Sequence, residues 1–322
     1  MLAVQAREAG APEVLEVVDI PVPTPRPGQI VVRHEAVGLN FIDTYQRSGL
    51  YPVKFPAVLG QEAAGVVEAV GEGVDRFRVG DKVAYAGQTG AYAEAAAIPA
   101  SRAVKVPAGV SGEMAAACLL KGMTAEFLLR RCYPVKAGQT ILTHAAAGGV
   151  GTILVQWAKA LGVTVIGTVG SEEKAALARA HGCDHVILYR SEDVVARVKE
   201  ITGGKGVPVV YDSVGKDTFE MSLASLARRG MFVSFGNASG AVPPFSPLRL
   251  SQGGSLFMTR PTMGDYTATP EELDESASAL FAVIASGQVK IEIGQRFALK
   301  DTRAAHEALQ GRETIGATVL VP

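Results

Sequence analysis

The stretch Thr140-Ile-Leu-Thr-His-Ala-Ala-Ala-Gly-Gly-Val-Gly-Thr-Ile-Leu-Val-Gln-Trp-Ala-Lys-Ala-Leu161 decides the fold. It opens as an apolar run of strand length and closes with the apolar spacing of a buried helix. Between the two, Ala146-x-Gly148-x-x-Gly151 is a dinucleotide fingerprint with alanine in its first place. Gly148 lets the backbone approach a pyrophosphate, and Gly151 permits close packing of helix on strand. The helix start supplies N–H groups and the positive end of its dipole. A glycine triplet alone is a weak signal, but the strand before it, the helix after it and a further strand at 163–168 give the context the motif requires. The plainer alternative is a tight strand-to-helix turn with no ligand. Residues 137–158 carry no formal charge and so imitate a membrane span, yet Gln139, His144, Gln156 and four glycines would be costly in lipid.

Working outward, short apolar runs alternate with helix-length amphipathic stretches. The strands are expected at 140–144, 163–168, 185–188, 207–211 and 231–235, and the helices at 149–161, 172–181, 191–202 and 217–229. This alternation implies βαβ units and a parallel sheet covered on both faces. Before it, 2–6, 14–19, 30–37, 62–71 and 80–85 read as strands separated by glycine turns and the proline-rich connector 20–28, and 113–120 and 124–131 as helical. After it, a strand at 255–259, a helix at 270–286 and a strand at 316–321 complete the chain. The fold class is α/β: a doubly wound parallel-sheet domain over 123–261, and a β-rich domain assembled from 1–122 and 262–322.

Composition sets the outer limits. The 322 residues, 48% of them hydrophobic, suffice for about two domains with sizeable cores, which excludes disorder. With 36 glycines but 3 cysteines and no G-X-Y period, the chain is neither collagen-like nor a disulfide scaffold. Lys and Arg number 31 against 32 Asp and Glu, for a net charge of −1, and no block of like charges appears. A broad footprint for nucleic acid or anionic membrane is therefore not expected. Cys118, Cys132 and Cys183 form no C-x-x-C pair and no even set, and the first residues carry no secretory signal pattern. Both features point to the cytoplasm.

NAD-binding versions of the fingerprint place a carboxylate near the end of the second strand, about 20 residues on. Here that strand ends Thr168-Val-Gly-Ser-Glu-Glu-Lys174, with Val169 and Gly170 at the expected positions. Ser171 can donate a hydrogen bond and Lys174 adds a cation one helical turn on, which suits a 2′-phosphate. The cofactor expected is NADPH. Glu172 and Glu173 belong to the helix's first turn, where they favour the dipole and face solvent. Lys174 as an ordinary surface lysine is the alternative.

Seven motifs then carry a resemblance. They are Asn40-Phe-Ile-Asp-Thr-Tyr45, Arg47-Ser-Gly-Leu-Tyr51, Gly60-Gln-Glu-Ala-Ala-Gly65, Ala145-Ala-Ala-Gly-Gly-Val-Gly151, Tyr211-Asp-Ser-Val-Gly215, Val233-Ser-Phe-Gly-Asn237 and Thr259-Arg-Pro261. Over essentially the whole chain the sequence resembles the zinc-free quinone oxidoreductases, the zeta-crystallin-like branch of the medium-chain dehydrogenases/reductases, and most of all their bacterial members. The resemblance implies a GroES-like catalytic domain, a Rossmann domain with NADPH in the cleft between them, and a homodimer joined through the nucleotide domains. It implies cofactor contacts from Asn40, Phe41, Thr44 and Tyr45 near the nicotinamide, and from Thr124. Gly148, Gly149 and Val150 would lie at the pyrophosphate, and Gly170, Ser171, Lys174 and Tyr189 around the adenosine phosphate. Ser213, Phe235, Asn237, Ser239 and Thr259 would form the remaining wall, and Arg312 would reach toward the 2′-phosphate, its plain alternative being a surface charge.

Zinc-dependent relatives place cysteine where Asn40 stands, histidine where Gln61 precedes Glu62, and cysteine near Leu120-Lys121. Catalytic zinc needs about three protein ligands and an open position. Asn40 and Gln61 are poor replacements, and Cys118 is displaced from the third place, so no zinc is expected. His34, His144, His181, His185 and His306 are scattered and read as structural or solvent-facing. Without a Lewis acid to stabilise an alkoxide, a conjugated acceptor that delocalises the incoming charge is the fitting substrate. Asn40, Tyr45 and Tyr51 are the candidate catalytic donors to its oxygen, or else they pack the wall. Glu62 reads as a structural ion pair or a perturbed carboxylate. The expected reaction is reduction of quinones by NADPH, in one- or two-electron steps. The alternatives are an NADPH-dependent enone reductase, and a nucleotide-bound structural or RNA-interaction protein, a role to which members of the family have been recruited.

Overall fold

The computed structural model describes residues 1–322. The chain divides into two compact units. The first comprises Met1–Met123, Tyr266–Ala285 and Ile291–Pro322, and the second Thr124–Asp265 with Ser286–Lys290.

In chain order the first unit begins with β1 (Leu2–Ala6), β2 (Leu15–Asp19), β3 (Gln29–Leu39), α1 (Phe41–Arg47), β4 (Ala57–Val58), β5 (Glu62–Val70), β6 (Lys82–Ala86), β7 (Ala95–Pro99), β8 (Ala103–Lys105) and α2 (Gly112–Phe127), whose last residues, from Thr124, belong to the second unit. The second holds β9 (Thr140–Thr143), α3 (Gly149–Ala160), β10 (Thr164–Val169), α4 (Glu172–Ala180), β11 (His185–Leu188), α5 (Val194–Ile201) and β12 (Val207–Asp212). It continues through α6 (Phe219–Ser225), β13 (Leu226–Ser234), α7 (Leu248–Gln252) and β14 (Phe257–Thr259), and α8 (Met263–Tyr266) ends it. The chain then returns to the first unit with α9 (Pro270–Ala285), β15 (Ile293–Ala298), α10 (Thr302–Gln310) and β16 (Ala317–Val321).

In the first unit a seven-stranded sheet runs β15-β16-β3-β5-β6-β8, with β7 also on β3, beside a three-stranded sheet β2-β1-β4. All pairings are antiparallel except β15 with β16. Ile30, Val32, Val37, Leu39, Val67, Tyr85 and Leu320 form its core. At Gly65 the crossing of β5 over β3 is so close that a Cβ would lie 1.8 Å from the Arg33 carbonyl oxygen, so only glycine fits.

The second unit is a six-stranded parallel sheet of order β11-β10-β9-β12-β13-β14. Counted along the chain this is 3-2-1-4-5-6, the doubly wound order, with its switch point between β9 and β12. Leu142, Ile166, Ile187, Val198, Val210, Phe219 and Phe232 pack its faces.

Two differences from the sequence reading have local causes. The helix expected to run to 229 stops at Ser225, because Leu226 pairs with Val207 and draws Ala227–Arg229 into β13 against their helical propensity. Ser286–Lys290 goes with the second unit, outside the 123–261 span expected for it. There the Gln156 carboxamide clamps Lys290, donating to its carbonyl and accepting from its N–H, both at 2.9 Å. No helix is long and apolar enough to cross a membrane.

Candidate functional site

In the second unit most of the expected cofactor residues come together for one reason: they follow the C-terminal ends of the parallel strands. Gly148–Val150 follow β9, Gly170–Lys174 follow β10, Tyr189 follows β11, Ser213 follows β12 and Phe235–Ser239 follow β13, while Thr259 ends β14. This is the edge of a doubly wound sheet where ligands bind. Gly148 is the N-cap of α3, whose first backbone bond runs from Thr152 N–H to Gly148 O at 2.9 Å, leaving the earlier N–H groups at the helix mouth. A Cβ on Gly151 would stand 2.2 Å from Ala145 O and 2.8 Å from the Ala146 carbonyl carbon, so this cradle demands glycine. Ala145 itself sits at φ +53°, in the left-handed region.

Behind β10, a Cβ on Gly170 would lie 2.7 Å from the Tyr189 hydroxyl, so the Tyr189 ring covers the place where an NAD-selecting carboxylate would stand. Ser171 caps α4, its Oγ accepting from Lys174 N–H at 3.4 Å, and its own hydroxyl hydrogen remains for an anion. Glu172 and Glu173 are exposed, as expected of first-turn residues. Gly170, Ser171, Lys174 and Tyr189 thus form one patch without a carboxylate at its centre, suited to a 2′-phosphate.

The next turns are tied to each other. Ser239 Oγ donates to Val214 O at 2.9 Å and accepts from Asp217 N–H at 3.0 Å, so its hydroxyl serves the loop. Gly236 lies so close to Ser213 that a Cβ would meet its carbonyl oxygen at 2.3 Å, and Phe235 N–H donates to Asp212 O at 2.8 Å. Asn237 is half-buried in the same loop. Thr124 is buried near the end of α2. Arg312 is not in this unit: it is exposed in the turn that closes α10, at φ +61°.

The first unit gathers Asn40, Phe41, Thr44, Tyr45 and Tyr51 on and around α1. Asn40 is its N-cap, with Asn40 N–H donating to Asp43 Oδ2 at 3.0 Å and Asp43 N–H to Asn40 O at 3.1 Å. Both hydrogens of the Asn40 carboxamide are committed, one to Glu62 Oε2 at 2.8 Å and one to Gly38 O at 3.2 Å. Asn40 therefore cannot donate to an acceptor oxygen as the sequence reading expected, and its Oδ1 can only accept. Thr44 Oγ donates to Phe41 O at 2.7 Å. Tyr45 and Tyr51 meet edge to face at 5.3 Å between ring centres, so the two phenols act as a packed pair.

Behind Asn40 lies a buried ionic centre. Glu62 takes Lys121 Nζ at 2.9 Å on the oxygen that holds Asn40 and Leu120 N–H at 2.6 Å on the other. The ion pair of the sequence reading is present. Next to it, buried Asp43 accepts the Tyr92 hydroxyl at 2.8 Å, while its Oδ1 has no partner; desolvation pushes its carboxyl up to about 7. Tyr92 in turn meets His306 Nε2 at 2.9 Å, and Arg47 Nη1 reaches His306 Nδ1 at 3.0 Å. Burial brings His306 down to about 3, so the ring is neutral and the donors run Arg47 to His306 to Tyr92 to Asp43.

The N-terminal part matches the family described as alcohol dehydrogenase GroES-like domain over residues 26–108, and the later part the family described as zinc-binding dehydrogenase over 149–282. The quinone oxidoreductase of Pseudomonas aeruginosa is 55% identical over 321 residues, covering 99% of both chains. The chain belongs to the quinone oxidoreductases of the medium-chain dehydrogenase/reductase family. A structure of Escherichia coli quinone oxidoreductase complexed with NADPH superposes with a TM-score of 0.99 at 50% identity, covering 100% of each chain. A 2-haloacrylate reductase from a Burkholderia species is 44% identical over 330 residues, 100% of this chain and 99% of its own. The first unit is thus the GroES-like domain of the family and the second its Rossmann domain.

One matching family is described as zinc-binding, yet the donors zinc would need are replaced in this quinone oxidoreductase. Asn40 turns its nitrogen inward, Lys121 brings an ammonium, and Gln61 Nε2 donates to Thr89 Oγ at 3.1 Å. An ammonium and two amide donors repel a cation. Of the scattered histidines, His34 is buried, its Nδ1 donating to Ala93 O at 2.7 Å, and desolvation lowers it to about 4. The sequence reading missed Asp43, Tyr92, Lys121 and Arg47 as a connected centre. Only Asp43, an acid three residues after an N-cap asparagine, carried a local signal.

Proposed function

We propose that this chain reduces quinones with NADPH, the Rossmann unit holding the nucleotide and the GroES-like unit supplying the catalytic side chains. The observation that carries the reading is the full-length likeness to a quinone oxidoreductase solved with NADPH. The carboxylate-free patch of Gly170, Ser171, Lys174 and Tyr189 supports NADPH from this chain's own residues.

Gly148, Gly149 and Val150 would hold the pyrophosphate with backbone N–H groups, and Gly151 keeps α3 close enough to do so. Ser171 and Lys174 would take the 2′-phosphate as hydroxyl and ammonium donors, with Gly170 and Tyr189 shaping the patch. Ser213, Phe235, Asn237 and Thr259 would wall the nicotinamide half, with Ser239 holding that wall's loop and Thr124 beside it. Arg312 is assigned to the 2′-phosphate on the family resemblance alone. Asn40 Oδ1 would accept from the cofactor's carboxamide or ribose, because its nitrogen is spent, and Phe41 and Thr44 would line the same place. Bound NADPH supplies the hydride. The Tyr45 and Tyr51 hydroxyls would donate to the charge developing on the acceptor oxygen. A conjugated acceptor spreads that charge itself, so orientation carries most of the rate.

The homodimer remains part of the proposal. β14 is the outer strand of its sheet, and Phe257 and Leu248 beside it are 57% and 61% exposed, an edge that a second copy would cover. A cytoplasmic location rests on three cysteines held outside disulfides, of which Cys118 and Cys183 are buried.

The deciding experiment is NADPH oxidation by purified protein with benzo- and naphthoquinones. Quinone-dependent turnover is expected, and NADPH binding without turnover across the series overturns the reading. A second reading, reduction of the C=C bond of an α,β-unsaturated carbonyl, is favoured by the 2-haloacrylate reductase among the relatives. Product analysis separates the two, a saturated acid or ketone against a hydroquinone.

A further inference from the structure

At the strand ends of the Rossmann unit lies a buried polar chain. His144 follows β9 directly and leads into the turn Ala145–Gly151, and its backbone N–H donates to Tyr211 O in β12 at 3.0 Å. Its side chain meets Thr168 Oγ of β10 at 2.8 Å through Nδ1 and Ser222 Oγ of α6 at 3.0 Å through Nε2. Ser222 donates to Oδ2 of Asp212, the last residue of β12, at 2.7 Å. The other carboxylate oxygen of Asp212 takes Val214 N–H at 2.8 Å, Gly215 N–H at 3.0 Å and the Thr218 hydroxyl at 2.9 Å, and so holds the turn after β12.

The direction of every bond is forced. A carboxylate only accepts, so the Ser222 hydrogen is spent on Asp212 and its oxygen accepts from His144 Nε2–H. With Nε2 protonated, a neutral ring accepts from Thr168 at Nδ1. Burial disfavours the imidazolium and holds His144 below the usual histidine range, although Asp212 Oδ2 stands 4.0 Å away. His144, Asp212, Ser222 and Thr168 are all at most 1% exposed.

We propose that His144, Ser222 and Asp212 form a positioning network that fixes the turns after β9 and β12 to each other across the switch point and thereby sets the affinity for NADPH. The inference rests on the assignment of those turns to the cofactor. A turn already held in its binding shape loses little freedom when the ligand arrives.

Ser222→Ala tests it with a small cut in a buried helix. The KM for NADPH should rise about tenfold, while kcat and the KM for quinone stay within about twofold. His144→Leu should do the same, and His144→Gln, which can still donate to Ser222, should recover most of the affinity. Nitrogen-15 spectra should show His144 neutral with its proton on Nε2. Asp212→Asn should reverse the chain, because its amide donates to Ser222, and move that proton to Nδ1. An unchanged NADPH KM in folded Ser222→Ala and His144→Leu, or an Nδ1 proton in the parent protein, overturns the network. Lys174→Ala separates the two layers. If it weakens NADPH and Ser222→Ala does not, the cofactor site stands and the network falls; if neither weakens it, the cofactor assignment falls as well.

Discussion

The two units bury polar groups in opposite ways. In the GroES-like unit the buried centre is ionic and assembled from distant sequence: Glu62 meets Lys121 and Asn40, and Arg47 reaches His306 and, through it, Tyr92 and Asp43. In the Rossmann unit the centre around Asp212 has a single charged group, and hydroxyls and nearby backbone N–H groups satisfy it. A buried ion pair depends on both partners and on pH, whereas a carboxylate solvated by its own turn depends on shape. Perturbing charge should therefore change the stability of the first unit, and perturbing shape should cost the second unit affinity.

The largest effect expected is from Lys121→Met. It leaves the Glu62 carboxylate buried with its cation gone, a loss of about 3–5 kcal/mol, read as a lowered denaturation midpoint. Adding Glu62→Gln should return most of it, and an additive double variant would show that the pair is not coupled. Asp43 gives the next effect, with a definite sign. Its folded carboxyl sits at about 7 against 3.8, so the folded state keeps a proton that the unfolded state releases, and stability drains away as pH rises from about 4 to 7. His34 and His306, lowered to about 4 and about 3 by burial, act the other way: their contribution is complete above 6.5 and is lost as pH falls toward those values. Asp43→Asn should gain on the parent protein by roughly 1–2 kcal/mol at pH 8, well under the ~4 kcal/mol that three pK units would allow, and should show little gain at pH 4. Equal gains at both pH values would mean that Asp43 does not titrate in this window.

The same contrast explains what the sequence revealed. The Rossmann unit was legible because its determinants are local: Gly148 and Gly151 lie within one turn, each strand is a continuous apolar run, and the binding edge follows from strand order alone. The GroES-like unit was legible only as β-rich. Its α1, Phe41–Arg47, has no apolar period of its own and is fixed by Asn40 and Asp43 at its start and by Arg47 reaching His306 across most of the chain. Asn40 could be placed near the site by motif, but the direction of its amide depends on Glu62, a strand away, and no spacing rule gives that.

On the shape side, Lys174→Ala should raise the KM for NADPH by roughly ten- to a hundredfold, as a lost charge-assisted hydrogen bond implies, and leave NADH almost unchanged. Equal losses for both cofactors would remove the 2′-phosphate from this patch. The fold should respond little, because Lys174 is only half-buried, in contrast to Lys121, which is buried against Glu62.

The smallest effect falls on Ala145, where stability and affinity should move in opposite directions. An alanine at φ +53° costs about 1–2 kcal/mol, and glycine would remove that cost while adding about 0.5–1 kcal/mol of unfolded-chain entropy. Ala145→Gly should therefore stabilise the protein by at most about 1.5 kcal/mol. Yet the Ala145 carbonyl takes Gly148 N–H at 2.9 Å and faces the space that a Cβ on Gly151 would enter, so the strained residue aims the mouth of α3. A freer backbone there should raise the KM for NADPH severalfold while the denaturation midpoint climbs. If the midpoint climbs and the KM holds, the strain at Ala145 is incidental, and affinity in this unit rests on the glycines and the buried chain beneath them.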